Sequence, residues 1–329
     1  MKETGYYLGI DVGSVSTNLV VTDEEDNIIE KLYLRTGGQP INALRTGMKA
    51  LVERLKDDVR IKGVGATGSG RQLASAIVGA DIVKNEITAH AVAAQKLVPG
   101  VRTIFEIGGQ DSKIIILRNG VVYDFAMNTV CAAGTGSFLD RQAARLNIPI
   151  EEFGSYALRS GSPVRIAGRC AVFAESDMIH KQQTGHCVED IIRGLCEALV
   201  RNYLSNLAKG KEILEPIVFQ GGVAANVGIV AAFERALGKK VIIPEYHDVM
   251  GAYGAALIAK NRMAQGTTNT KFYGFGTIEN EYKAKSMECR DCPNMCEIIE
   301  ILSNGRTIAR WGDRCGKWAG FTREVQIMG

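Results

Sequence analysis

The sequence predicts an α/β fold of two similar lobes, because the chain is long enough for two domains and contains an internal repeat. Its 329 residues suit about two domains of ordinary size. We predict three strands joined by tight turns in each of two segments, YYLGIDVGSVSTNLVVTDEEDNIIEKLYLRT and VRTIFEIGGQDSKIIILRNGVVYDFAMN. Helical and strand segments follow each triplet, which is typical of an α/β layer with a mixed sheet.

The first lobe is predicted over residues 1–98. Its three strands are predicted at Tyr7–Asp11, Thr17–Thr22 and Ile28–Arg35, with the polar turn DEEDN before the third. The segments that follow predict a helix, a strand and a second helix, at Asn42–Val59, IKGVGAT and Ile87–Leu97.

The second lobe is predicted over residues 99–265. Its strands are predicted at Arg102–Ile107, Asp111–Leu117 and Val121–Phe125, where RNG forms a hairpin turn. The later helices and strands are predicted at Gly136–Leu146, Ile191–Leu207, EPIVFQ, Val227–Leu237 and KVIIP. A closing helix, Gly251–Arg262, carries alanine and glycine at spacings that suit close packing. After Gln265 the composition becomes polar and glycine-rich, which predicts a separate tail over 266–329.

The two-lobed plan resembles the actin, Hsp70 and sugar-kinase superfamily, whose ribonuclease H-like lobes clamp a nucleotide between them. Three glycine loops, in LGIDVGSVST, IGGQD and GGVAAN, occur at corresponding points of the repeat. Each loop alone is compatible with a tight turn between strands. The three together predict binding of ATP or ADP with Mg²⁺.

The residues of these loops suit phosphates and a metal ion. Turns of small residues expose backbone N–H groups to a phosphate, and a carboxylate at a strand end can hold Mg²⁺. The predicted nucleotide-binding residues are Gly13, Ser14, Ser16, Thr17, Gly108, Gly109, Gly221, Gly222 and Asn226. The predicted catalytic residues are the acids Asp11 and Asp111 and the amide Gln110, which could orient the attacking water. A fourth loop, ATGSGR, either faces the nucleotide through Thr67, Gly70 and Arg71 or is a plain turn.

Composition argues against two classes of partner. The formal net charge of +3 is too small to indicate nucleic-acid binding, and no apolar run approaches the roughly 18–20 residues of a membrane helix. The first residues, MKETGYYLGID, lack a signal-peptide core. We therefore expect a cytoplasmic protein, in which eight cysteines indicate metal or redox chemistry more than disulfides.

Cys131 and Cys170 lie in NTVCAAGTGSFLD and IAGRCAVFAES, each beside a predicted helix start. Two thiolates are half of a four-thiolate cluster site, and the economical completion is a two-fold dimer in which each chain supplies two ligands. A helix that begins near Gly134 would direct N–H groups and its dipole at an anionic cluster. Cys196 falls in an apolar pattern and is expected in the core, whereas Cys187 stays undecided.

Five motifs, LGIDVGS, EIGGQD, NTVCAAGTGSFLD, CAVFAES and GGVAAN, together resemble the ATP-dependent activators of 2-hydroxyacyl-CoA dehydratases. That family also includes the ATPase subunits of benzoyl-CoA reductases and the reductase of double-cubane cluster proteins. The resemblance covers about residues 6–262. It implies a homodimer with one 4Fe-4S cluster held by Cys131 and Cys170 of both subunits. Glu106 stands where the family more often has aspartate.

The resemblance also implies a function, in which ATP binding and hydrolysis drive a low-potential electron into a partner enzyme. The partner would be a 2-hydroxyacyl-CoA dehydratase, an aryl-CoA reductase or a double-cubane cluster protein, with a ferredoxin or flavodoxin as upstream donor. The alternatives are an actin-fold small-molecule kinase and a regulatory ATPase. A kinase needs segments that shape a substrate pocket, and a core that ends at about residue 262 leaves little room for them.

Four further cysteines lie in the tail around a predicted hairpin, EIIEILSNGRTIARW; they are Cys289, Cys292, Cys296 and Cys315. A CxxC pair, a third cysteine soon after it and a fourth beyond a hairpin form a compact four-thiolate site. That site accepts structural zinc or a second iron–sulfur cluster, and the short loops slightly favour zinc. A tail of this size has little core of its own, so a metal would contribute much of its folding free energy.

Overall fold

The computed structural model describes residues 5–55, 59–128, 130–266 and 269–318, and the chain divides into two compact units. Unit 1 combines the chain up to Ala89 with the chain from Gly251 onward, and unit 2 is His90–Met250. The sequence predicts consecutive lobes and a separate tail instead. The division differs because the closing helix and the tail pack on the first sheet. Nowhere in the described ranges is a helix long and apolar enough to cross a membrane.

Unit 1 is built on a five-stranded mixed sheet. Its elements from the first part of the chain are β1 (Gly5–Val12), β2 (Ser16–Thr22), β3 (Ile28–Arg35), α1 (Pro40–Arg54), β4 (Arg60–Thr67), α2 (Arg71–Val78), β5 (Ile82–Val83) and the start of α3 (Glu86–Leu97). The strand order is β3-β2-β1-β4-β5. β1 runs antiparallel to β2 and parallel to β4. The sequence predicts this mixed sheet but not the short helix α2.

Unit 2 repeats the topology on four strands. Its elements are β6 (Thr103–Ile107), β7 (Ser112–Arg118), β8 (Val121–Asn128), α4 (Gly136–Leu146), α5 (Ile150–Leu158), α6 (Ala171–Gln183), α7 (Val188–Leu207), β9 (Ile217–Gln220) and α8 (Val227–Leu237). The order β8-β7-β6-β9 matches β3-β2-β1-β4 of unit 1, which confirms the predicted duplication. The predicted strand in KVIIP is wrong, since Ile242 makes an isolated bridge to Val218 there.

Aromatic rings form the centre of the unit 2 core. Phe105 of β6 stacks on Phe233 of α8 with ring centroids 5.0 Å apart, and Tyr203 of α7 meets both rings edge-on at 5.3 Å. Burial raises the pKa of Tyr203 well above its ordinary value. Its hydroxyl donates to the backbone oxygen of Lys113 at 2.6 Å, so the polar end of this buried ring has a hydrogen-bond partner.

The closing helix, α9 (Met250–Ala264), approaches β1 and β4 so closely that two strand positions must be glycine. A Cβ added to Gly9 would lie 1.8 Å from the backbone oxygen of Ala252, and one added to Gly65 would lie 2.1 Å from that of Ala255. Any larger residue at these positions would push the helix off the sheet. The structure thus confirms the close packing that the small residues of this helix predict.

The tail forms a three-stranded antiparallel sheet of β10 (Tyr282–Glu288), β11 (Glu297–Ser303) and β12 (Arg306–Trp311). Asn304 and Gly305 turn the β11–β12 hairpin with φ angles of +48° and +80°, as a tight two-residue turn requires. Tyr282, Ile301 and Ile308 lie in the hydrophobic core of unit 1. The tail sheet is therefore part of unit 1.

Candidate functional site

The β1–β2 turn of unit 1 contains the first predicted phosphate loop. The N–H of Gly13 donates to the backbone oxygen of Ser16 at 2.8 Å and closes the turn. Ser14 is exposed at the tip, and Ser16 is partly exposed. These three residues place backbone N–H groups and hydroxyls at the surface, where a phosphate can meet them.

Thr17 lies in a different environment from the predicted one. Its side chain is fully buried, and its hydroxyl is 3.0 Å from that of Thr36. Thr36 in turn donates to the backbone oxygen of Gly13 at 2.9 Å. Thr17 therefore supports the turn from inside the unit and does not present its hydroxyl to a ligand. The sequence alone does not reveal this role, because the two threonines lie 19 positions apart, Thr17 in β2 and Thr36 just after β3.

Glycine backbone encloses the carboxylate of Asp11. A Cβ added to Gly68 would lie 2.4 Å from Asp11 Oδ1, and one added to Gly251 in α9 would lie 2.0 Å from Oδ2. A partly exposed carboxylate in a backbone cradle suits a Mg²⁺ ion that keeps its water shell. The sequence predicts Asp11 but not Gly251, which the fold brings to it from the far end of the core.

The fourth candidate loop, ATGSGR, closes beside Asp11. Thr67 is the cross-strand partner of Asp11 in the β1–β4 ladder. The N–H of Gly70 donates to the last residue of β1 at 2.8 Å, and Arg71 Nη1 donates to the backbone oxygen of Gly68 at 2.9 Å. The loop is thus held against the first phosphate loop, and the Arg71 guanidinium helps to fix it there.

Unit 2 carries the matching phosphate loop between β6 and β7. The N–H of Gly108 donates to the backbone oxygen of Asp111 at 3.0 Å, which repeats the closure of the unit 1 turn. Gly109 is partly exposed, and Gln110 is exposed at the tip. The structure therefore places all four residues of the predicted loop in one turn.

Lys113 joins the two carboxylates of this second loop. Its Nζ lies 2.8 Å from Glu106 Oε2 and 2.9 Å from Asp111 Oδ2, while its side chain is 2 % exposed. Glu106 and Lys113 are cross-strand partners in the β6–β7 hairpin. Lys113 is not among the site residues predicted from the sequence, although a lysine opposite an acid in the apolar strand SKIIIL indicates a buried ion pair.

The third predicted loop follows β9 and lies against Glu106. Gly221 has a φ of +89°, and a Cβ there would lie 2.9 Å from Glu106 Oε1. Gly222 is exposed. Asn226 has a structural role that differs from the predicted one, because its Oδ1 accepts the N–H of Gly228 at 3.0 Å and caps α8. Its Nδ2 is buried and has no hydrogen-bond partner in the described residues.

The segments that contain Cys131 and Cys170 are in contact in unit 2. Cys131 Sγ is 3.8 Å from the backbone oxygen of Arg169, the residue before Cys170. Both cysteines are partly exposed. Cys170 is the N-cap residue of α6, and Cys131 is that of the short 3-10 helix Ala132–Gly134. The structure therefore brings the two cysteine segments into contact and places each cysteine at the start of a helix, as the sequence predicts.

Two asparagines hold this arrangement. Asn128, at the end of β8, accepts the N–H of Cys131 at 2.9 Å and donates to its backbone oxygen at 2.8 Å. Asn202, buried on α7, donates to the backbone oxygen of Gly168 at 2.6 Å and lies 3.9 Å from Cys131 Sγ. Asn202 thus bridges both cysteine segments. No sequence pattern relates α7 to these cysteines, so the sequence alone does not identify it.

Gly134, near which the sequence predicts N–H groups directed at a cluster, packs against Asn202 in the structure. It is buried, and a Cβ there would lie 2.7 Å from Asn202 Oδ1. The α-helix proper begins two residues later, at Gly136. Gly134 therefore allows the short 3-10 helix to pack on Asn202.

The start of α4 is hydrogen-bonded to the second phosphate loop. The N–H of Gly136 donates to the backbone oxygen of Gly108 at 2.8 Å, and the N–H of Ser137 donates to that of Gly109 at 2.9 Å. Ser137 Oγ donates to the same Gly109 oxygen at 2.5 Å. The segment that begins with Cys131 is therefore joined directly to the loop that is predicted to bind phosphate.

The remaining cysteines fall into two groups. Cys196 is buried, and burial raises the pKa of its thiol to about 12, which confirms its place in the core; Cys187 is exposed at the start of α7. In the tail, Cys289 is buried, Cys296 is partly exposed, and Cys292 and Cys315 are exposed. Within the described ranges, no three His, Cys, Asp or Glu side chains are gathered as a metal site. The predicted tail metal is therefore not confirmed.

Residues 8–259 match the BadF/BadG/BcrA/BcrD ATPase family. The chain belongs to this family. Its relatives include the activator of lactoyl-CoA dehydratase from Anaerotignum propionicum, which is 37% identical over 77% of this chain and 97% of that protein. The predicted family is thus confirmed.

Two solved structures resemble this ATPase throughout its core. Component A of (R)-2-hydroxyglutaryl-CoA dehydratase from Acidaminococcus fermentans has a TM-score of 0.72 and 34% identity, over 79% of this chain and 99% of that one. The activator of 2-hydroxyisocaproyl-CoA dehydratase from Clostridium difficile, with bound ADPNP, has a TM-score of 0.71 and 33% identity, over 80% and 99%. These structures confirm the predicted ATPase fold.

Proposed function

We propose that this ATPase is an activator that hydrolyses ATP to drive a low-potential electron into a partner iron–sulfur enzyme. The observation that carries the proposal is the direct hydrogen bonding between the Gly108–Gly109 loop and the start of α4, just after Cys131. The relatives described above are activators of lactoyl-CoA and 2-hydroxyisocaproyl-CoA dehydratases. The partner proposed here is accordingly a 2-hydroxyacyl-CoA dehydratase, and a ferredoxin or flavodoxin supplies the electron.

The loops proposed to bind the nucleotide each have a carboxylate beside glycine backbone. In unit 1 the partly exposed Asp11 lies in a cradle of glycine backbone, and in unit 2 Glu106 lies against Gly221. The Asp11 carboxylate fits Mg²⁺, which would neutralise phosphate charge when bound. The exposed amide of Gln110 orients the attacking water. The ADPNP bound to the relative from Clostridium difficile supports ATP as the nucleotide.

The cysteine pair fits half of a 4Fe-4S cluster. The segments of Cys131 and Cys170 are in contact, and both cysteines are partly exposed at helix starts. N–H groups at helix starts stabilise anions by about 0.3–1 kcal/mol. Asn202 holds both segments and places its Nδ2 3.9 Å from Cys131 Sγ, and such outer contacts tune a bound cluster. When bound, the cluster supplies one-electron transfer.

The surface around the two thiols fits a two-fold interface. Val130 is 95% exposed, Val172 is 67% exposed and Phe173 is 66% exposed, and these residues flank Cys131 and Cys170 in the sequence. Apolar side chains grouped around partly exposed thiols mark an interaction surface. A second copy of the chain would cover them and supply the other two thiolates, which makes the homodimer part of this proposal.

Anaerobic purification followed by iron, sulfide and visible-absorption measurements tests the proposal. The wild-type dimer is expected to contain about four iron atoms and four sulfides. Cys131→Ser should lose iron and absorbance, whereas Cys187→Ser, at an exposed cysteine outside the site, should keep both. Both variants should still bind ATP, since neither cysteine lies in a glycine loop. Full iron content in Cys131→Ser would refute the cluster assignment.

The electron-transfer step is tested with a purified 2-hydroxyacyl-CoA dehydratase and a chemical reductant. Wild-type protein with ATP should activate the dehydratase, and ADP should not replace ATP. The Cys131→Ser variant should still hydrolyse ATP but should fail to activate. Activation by that variant at the wild-type rate would show that the thiol pair has no part in the electron path.

A further inference from the structure

The end of the tail sheet brings two cysteines side by side. β10 ends at Glu288, which pairs with Glu297, the first residue of β11. Cys289 and Cys296 are the next residues on the two strands, and the N–H of Cys289 donates to the backbone oxygen of Cys296 at 2.8 Å. The loop between them is therefore closed at its base by a backbone hydrogen bond.

The third cysteine lies inside this closed loop. Cys292 is exposed, and its backbone oxygen accepts the N–H of Met295 at 3.2 Å. Met295 has a φ of +44°, a left-handed conformation that reverses the chain before β11. The loop from Cys289 to Cys296 is thus a compact knuckle, hereafter the tail knuckle, with a cysteine at each end and one within it.

The chain beyond β12 folds back over the tail knuckle. Gly312 has a φ of +115°, and a Cβ there would lie 2.1 Å from the backbone oxygen of Glu297, so the chain turns against the start of β11. Lys317 then forms an ion pair with Asp291 of the knuckle. Trp318 Nε1 donates to Cys289 Sγ at 3.4 Å. Cys315 lies between these contacts, so the fold carries the fourth cysteine to the same end of the sheet.

We infer that Cys289, Cys292, Cys296 and Cys315 bind one zinc ion as a tetrahedral tetrathiolate site at this end of the tail sheet. The four thiols would lose their protons on binding zinc. Because no three metal-ligating side chains are gathered in the described residues, the exposed Cys292 and Cys315 would have to move toward Cys289 and Cys296. An N–H already directed at Cys289 Sγ matches the outer hydrogen bonding of thiolate sites. Zinc is favoured because structural zinc sites are commonly formed by four cysteine thiolates on short loops.

The site is separate from the activity proposed above. Its four ligands come from a single chain, and all belong to the tail, beyond residue 259 at which the family match ends. The tail sheet joins the unit 1 core through Tyr282, Ile301 and Ile308. The ion would therefore stabilise the end of the sheet at which β10 ends and β11 begins, where the tail knuckle meets the chain beyond β12.

Elemental analysis of the full-length protein tests the inference, with zinc and iron measured separately in each variant. The wild type should contain about one zinc ion per chain in addition to any iron. Cys292→Ser and Cys315→Ser should each lose that zinc and leave iron unchanged. Both side chains are exposed, so neither substitution removes core packing. Cys187→Ser is the matched exposed control and should keep its zinc.

Thiol labelling gives a second readout that does not depend on activity. Maleimide should label Cys292 and Cys315 slowly in the zinc-loaded protein and rapidly after a chelator removes the ion. Equal zinc in the wild type and both tail variants, or rapid labelling before chelation, would overturn the site. Loss of iron and sulfide in place of zinc in those variants would overturn zinc and assign a second cluster. Neither result depends on whether the dimer cluster exists.

Discussion

Replacing Lys113 with methionine is expected to destabilise unit 2 by about 3 kcal/mol, the lower end of the cost of breaking a buried ion pair. The Lys113 side chain is 2 % exposed and that of Glu106 is 6 % exposed, so the change removes a counter-charge from a buried carboxylate. The Asp111 contact adds little, because that side chain is 32 % exposed and water screens the pair. Methionine is close to lysine in volume, which keeps the packing contribution small.

Thermal unfolding followed by circular dichroism measures this loss. For a unit of this size, about 3 kcal/mol corresponds to a fall in Tm of roughly 6–12 °C. Lys211→Met is the matched control, since Lys211 pairs with Asp124 at the surface, where the acid is 44 % exposed. Such a pair contributes about 0–1 kcal/mol, so its Tm should fall by only a few degrees.

A double variant that removes both charges of the buried pair tests whether the unpaired carboxylate causes the loss of stability. In the double variant Glu106→Gln with Lys113→Met, the carboxylate is removed together with its cation, so part of the lost Tm should return. Equal unfolding temperatures for Lys113→Met and Lys211→Met would contradict a costly buried charge. A double variant less stable than Lys113→Met alone would also contradict it, because the buried charge would then not be the source of the loss.

Three further predictions concern the nucleotide loops and pH. Asp11→Asn should lower Mg²⁺-dependent ATP hydrolysis by at least tenfold, and an unchanged steady-state rate would place the metal elsewhere. Gly251→Ala should lower hydrolysis because its Cβ would lie 2.0 Å from Asp11 Oδ2, whereas Gly276→Ala, with open space around its Cβ, should not; equal rates would contradict the cradle. The bond from Lys211 lowers the pKa of Asp124 below 3.8, so the pair stabilises the fold above that pH and loses its effect as pH falls through the lowered value. The Tm values of wild type and Lys211→Met should therefore converge in acid, and a constant gap would contradict the pairing.

Local patterns account for the parts of the fold that the sequence predicts well. The two hairpins, their turns and the small residues of α9 each depend on neighbours in the chain or on a regular period. The glycine loops are predictable for the same reason, because turn chemistry is local. Cys131 and Cys170 are recognisable by motif, and the structure places their segments together.

Contacts between distant segments account for the parts that the sequence does not predict. The sequence predicts that Thr17 binds phosphate because its hydroxyl follows a glycine turn, but that hydroxyl is buried and hydrogen-bonded with Thr36 inside the unit. Gly134 and Asn202 meet through packing of α7, which no local pattern encodes. The tail joins unit 1 through one buried apolar residue on each of its three strands, and a sequence does not show which core such residues will enter.

The bonds from Gly136 and Ser137 to the Gly108–Gly109 loop make the nucleotide loop and the cysteine segment parts of one hydrogen-bonded backbone. A free-energy coupling carried by such a connection acts equally in both directions. If the bound nucleotide changes the affinity of the thiols for their cluster by some factor, loading the cluster changes nucleotide affinity by the same factor. Cluster-free and cluster-loaded protein should then differ in ATP affinity, and a nucleotide titration can report the state of the cluster without any partner enzyme.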